Sequence, residues 1–164
     1  MNALGGFHTL CALAALASGA AVLLRPKGTR GHRQLGWIYV GSMLAVNVTA
    51  LMIYRLFGGF GPFHVAALLS LATVIAGIIP AVRRRPRDRW LDRHYFFMTY
   101  SYLGLLAATA AEIGTRLPAA RGAFWWAVIV ATIVVFAVGG VMIRRRVGAT
   151  LAPFRTAPVG ESGD

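Results

Sequence analysis

The chain is 164 residues long, 57% hydrophobic and 13% charged, with a formal net charge of +12. Soluble domains carry charge on about a quarter of their residues, so this composition excludes an ordinary water-soluble fold, and the length allows one domain. The basic residues gather at the ends of long apolar runs, which assigns them to membrane insertion rather than to nucleic acid.

Crossing ~30 Å of hydrocarbon takes about 20 mostly apolar residues, and five runs meet that length. The first, Ala3–Leu24, has no basic side chain before it and Arg25 and Lys27 after it. That order is the reverse of a cleaved signal peptide and predicts an anchor with its N-terminus outside. Cys11, the single cysteine, excludes an intramolecular disulfide or CxxC chemistry and reads as a small apolar filler.

Arg30 and Arg33 complete the first basic loop, which leads to the second run, Leu35–Phe57. The third, Pro62–Val82, opens on Gly-Pro and ends in Arg83, Arg84, Arg85, Arg87, Arg89 and Arg93. The fourth, Tyr95–Ile113, begins with aromatic and hydroxyl side chains and is bracketed by Arg93 and Arg116. The fifth, Ala123–Ile143, runs into Arg144, Arg145 and Arg146. Residues 147–164 lack an apolar period, which predicts a disordered cytoplasmic tail behind a transmembrane domain of residues 1–146. Trp90, Trp125 and Trp126 fall at span boundaries, where aromatic belts form.

With alternating spans, 14 of the 17 basic residues share one side, and only Arg55, Arg116 and Arg121 lie on the other. Positive residues stay cytoplasmic, so the sequence predicts an all-α integral membrane bundle of five helices, N-out and C-in. The bilayer is its first partner, and no nucleic acid is needed to explain the charge.

The first four helices read as a duplicated hairpin. Gly5-Gly6-Phe7-His8 opens the first and Gly61-Pro62-Phe63-His64 the third, and each basic loop delivers a second histidine, His32 or His94. Alternation puts His8 with His64 at the outer face and His32 with His94 at the inner face, roughly 20–25 Å away. A parallel repeat would oppose equivalent histidines across its axis. Two sided pairs suit two bis-histidine haems, since a ligating imidazole is neutral and a helix N-terminus disfavours imidazolium. Small residues would leave room: His8 shares a face with Ala12, Ala15 and Gly19, and His32 with Gly36, Tyr39 and Met43. The bland alternative is histidine as an amphipathic residue of the membrane interface.

Glu112 lies five helical turns after His94 and is a candidate by default, as an ionisable group within a membrane helix. It could pair with Arg116 or Arg55, or join His8 and His64 in a two-histidine, one-carboxylate metal site that rivals the outer haem. Asn47, Thr49, Ser70, Thr73, Ser101, Thr109 and Thr132 are scattered, and most are expected to bond back to helix carbonyls or join neighbouring helices.

The segment Lys27-Gly28-Thr29-Arg30-Gly31-His32-Arg33-Gln34-Leu35-Gly36-Trp37-Ile38-Tyr39 resembles the signature of a bacterial membrane family, domain of unknown function 2306. The stretch from His94 to Glu112 and the opening helix with His8 are similar to that family too. The resemblance implies a multi-pass bacterial inner-membrane protein in which His8, His32, Arg33, Gly36, Tyr39, His64, His94 and Glu112 occupy motif positions. It supplies no settled activity. By analogy of layout with two-haem b-type cytochromes, the leading expectation is electron transfer across the membrane. His8/His64 would bind an outer haem b and His32/His94 an inner one, with Arg33 at a propionate and Gly36 and Tyr39 beside it. Any enzyme activity would then be at most that of a transmembrane electron-transfer oxidoreductase. The alternatives are a haem-handling or respiratory-oxidase assembly factor, with a redox or respiratory-complex partner, and a small transporter using Glu112 as its proton site.

Overall fold

The computed structural model describes residues 3–54, 58–86, 88–118 and 122–155. These form five helices: α1 (Ala3–Leu24), α2 (Arg30–Leu51), α3 (Pro62–Arg83), α4 (Trp90–Arg116) and α5 (Phe124–Arg155). All five are long and apolar enough to cross a membrane, and there is no strand among the described residues. At 1.5 Å per residue, the 22 residues of each of the first three span about 33 Å, the thickness of the hydrocarbon.

The apolar runs locate every helix, but polar flanks extend several of them. Helix α2 starts five residues before the expected Leu35, because Thr29 caps it with a side chain that accepts the backbone N–H of His32, at 3.2 Å. It stops at Leu51, and the expected end at Phe57 lies outside the described residues, as does Arg55. Helix α4 takes in Trp90–His94 at one end and Gly114–Arg116 at the other. Helix α3 begins at Pro62, a ring pre-set for the first helical position, and ends on Arg84 with φ 50° and ψ 39°. That left-handed geometry is the one glycine usually supplies, and for another residue it costs roughly 1–2 kcal/mol.

Successive helices pack against each other and α1 closes on α4, giving an up-and-down four-helix unit with α5 on the outer side of α4. The core holds Ala15, Tyr39, Val40, Met43, Val74 and Leu105, with Leu16, Ile78, Met98 and Tyr102 packed around them. Ala15 and Tyr39 fall on the faces that His8 and His32 define, so those faces do point inward. Small residues permit the close approach of helices: a Cβ at Gly19 would overlap the Tyr102 ring, and one at Gly139 would overlap Leu103. Hydroxyl and amide side chains bond back as expected, from Asn47 to Met43, Thr73 to Leu69, Thr109 to Leu105 and Thr132 to Val128. Tyr39 reaches across to Ser101 at 2.8 Å; because Ser101 gives its proton to the Met98 carbonyl, Tyr39 is the donor.

Helix α5 differs most from expectation. No residue of its most apolar window is fully buried, although Gly139 packs closely on Leu103 of α4, and its 32 residues extend about 48 Å. Residues 147–155, expected to be disordered, continue the helix past Arg144–Arg146. They do so because Leu151 finds a buried seat, only 2% exposed. The rest of the tail, residues 156–164, lies outside the described residues.

Candidate functional site

The basic end of the bundle is organised by the α1–α2 turn, and each residue of the Lys-Gly-Thr motif has a job there. Lys27 Nζ donates to the carbonyls of Val22, Leu23 and Arg25, at 2.8, 2.8 and 3.2 Å, capping the unpaired end of α1. Burial holds its amine below the usual lysine range. Gly28 takes the positive φ of 79° that turns the chain, and Thr29 then starts α2. The cap bond ends on the backbone of His32, so the motif fixes where that imidazole enters the bundle.

Helix α4 brings His94 to the same place. The two rings stand with centroids 6.4 Å apart and planes at 85°. The two imidazoles therefore meet edge to face at the basic end of the bundle. His94 Nδ1 donates to the Gly77 carbonyl at 2.9 Å; a carbonyl only accepts, so the proton is on Nδ1 and the lone pair on Nε2. That is how a protein orients a ligating histidine. His32 Nδ1 is buried and has no hydrogen-bond partner among the described residues.

Both rings line a cavity of about 420 Å³ together with Arg33, Gly36 and Tyr39. Trp37, Trp90 and Phe154 supply aromatic walls, Arg84 and Lys27 add cations, and no acidic residue among the described residues contributes to the lining. Thr150, Leu151 and Phe154 of α5 cover one side, with the Phe154 ring against Gly28. The sequence reading missed Arg84 and the Gly77 carbonyl. The αL arginine carries no sequence signal, and backbone carbonyls are invisible to motif reading.

At the opposite end the histidines are used differently. His8 Nδ1 lies 2.8 Å from Thr49 Oγ1, whose own proton goes to the Ala45 carbonyl; His8 is therefore the donor, and the bond ties α1 to α2. His64 is 2% exposed and sits beside the rings of Tyr54 and Phe60, at 4.7 and 5.1 Å. Its Nδ1 accepts the Gly61 backbone N–H at 3.1 Å, while its own backbone N–H bonds to the Gly61 carbonyl. This reciprocal cap puts the remaining ring proton on Nε2, which is buried and unpartnered among the described residues. A nitrogen that carries a proton has no lone pair for iron. The outer haem expected at His8/His64 thus does not fit these residues as they stand.

The rival metal site is not assembled either. No group of three or more His, Cys, Asp or Glu side chains suited to a metal occurs among the described residues. Glu112 forms an ion pair with Arg116 on the next turn, and its side chain is 59% exposed. Glu112 thus forms no three-residue cluster with His8 and His64.

No curated protein and no solved structure matches the chain. A family profile described as "Predicted membrane protein (DUF2306)" matches residues 6–147, most of its length, including all four histidines and the motif that begins at Lys27. The chain therefore belongs to the predicted membrane protein family DUF2306, a domain of unknown function.

Proposed function

We propose that the protein is a multi-pass bacterial inner-membrane haem protein, with one b-type haem between His32 and His94 near the cytoplasmic face, and that it transfers electrons there. The orientation follows from the clustering of basic residues at that end. The observation that carries the reading is the pair itself: two imidazoles 6.4 Å apart at an apolar cavity, one with its nitrogen unpartnered and the other fixed by a carbonyl. A haem bound there would supply one-electron redox chemistry.

The protein's contribution is positional. Thr29 sets the height of His32, and Gly77 sets the tautomer of His94. Tyr39 and Tyr102, which also line the cavity, are both tied by hydrogen bonds, to Ser101 and the Leu16 carbonyl. Trp37, Trp90 and Phe154 line the cavity and would give a bound haem aromatic contacts.

The test is an optical spectrum of detergent-purified protein expressed with ample haem. The expected result is the spectrum of six-coordinate low-spin iron in the wild type, lost or converted to five-coordinate in His32→Ala and His94→Ala. A wild type without bound haem, or a spectrum unchanged in both variants, would refute the proposal.

A further inference from the structure

The cavity is lined by cations that the histidine pair does not explain. Three positive side chains line it, Lys27, Arg33 and Arg84. Lys27 has committed its protons to three carbonyls. Arg33 and Arg84 are both exposed, and neither guanidinium has a hydrogen bond or ion pair among the described residues. Arg84 is also the residue held left-handed at the end of α3, a position where glycine would be at ease. Strain at a cavity wall is a reason to ask what the side chain does there. The rest of the lining is mostly apolar and aromatic and, among the described residues, includes no carboxylate to neutralise the pair.

We infer that Arg33 and Arg84 form a two-cation clamp lining the His32/His94 cavity, recognising the paired acidic groups of an amphipathic ligand, the two propionates of a haem. The inference rests on the haem reading above and adds Arg84 to it. A guanidinium offers a planar fork that meets a carboxylate with two parallel hydrogen bonds, and two such forks match two carboxylates. A lipid phosphate presents similar chemistry, so the test must separate the sources.

The experiment titrates the apo protein with ferric haem and, separately, with haem dimethyl ester, whose carboxylates are masked, in phosphatidylcholine nanodiscs. The wild type is expected to bind haem about tenfold more tightly than the ester, and Arg33→Ala and Arg84→Ala to lose that preference while binding the ester unchanged. Arg84→Gly is the sharper variant. It removes the guanidinium but suits the left-handed backbone, so haem affinity falls while the thermal midpoint is equal or higher; a purely structural arginine would move both downward together. Equal affinity of the wild type for haem and ester overturns the clamp, as does a parallel loss of both ligands in the arginine variants. If adding phosphatidylglycerol abolishes the wild-type preference, the arginines serve lipid phosphate and the assignment to propionates falls. Absence of any ester binding that depends on His32 and His94 overturns the haem site itself, a result distinguishable from failure of the clamp alone.

Discussion

The four histidines share a position near the start of a helix, yet hydrogen bonding gives them different tasks. His94 donates to the Gly77 carbonyl, His32 keeps a buried Nδ1 with no partner among the described residues, His8 fastens one helix to the next, and His64 closes the cap of its own helix. The cap role predicts a specific pattern. His64→Ala should cost about 1 kcal/mol in thermal or denaturant unfolding, and His64→Gln, whose amide oxygen can accept the same Gly61 N–H, should recover most of it. Neither should alter a haem spectrum. Thr29→Ala should cost a similar amount, about 1 kcal/mol, and in addition weaken haem binding by displacing His32. The sidedness of the histidines was legible in the sequence, because helix alternation alone determines it. The difference between a ligand and a cap was not, because it depends on which ring nitrogen meets which backbone group. Gly61 three residues before His64 was the available clue, since a polar residue at that offset often bonds back to the cap.

At the level of elements, hydropathy located all five helices and misplaced several of their ends. Apolar runs report the span, whereas helices persist until a cap or a turn stops them, as Thr29, Gly28 and Arg84 do here. The tail shows the same limit: its composition is that of a loose segment, but Leu151 and Phe154 reach the cavity and keep the helix going. Truncation after Arg146 is therefore expected to leave the protein folded and inserted but to speed haem loss to a scavenger such as apomyoglobin. Equal loss rates would show that α5 does not cover the site. The α4–α5 seam depends on close approach at Gly139, so Gly139→Leu should destabilise the protein, on the order of 1–3 kcal/mol, without touching the cavity.

For the molecule as a whole, charge and histidines converge on one end. The end rich in arginine carries the imidazole pair, the cavity and the docked α5 terminus, while the other carries structural hydrogen bonds and an exposed Glu112–Arg116 pair. Topology can be checked independently of any cofactor: a reporter fused at the C-terminus should be active only in its cytoplasmic form. The two-tier symmetry of the sequence suggests two equivalent haems, and the structure breaks that symmetry at His64. The most direct measurement is the ratio of haem to polypeptide in the purified wild type, alongside His64→Gln. One haem per chain, unchanged in the variant, is the result expected from a single site at His32 and His94. Two haems per chain, or none after haem supplementation, would contradict it.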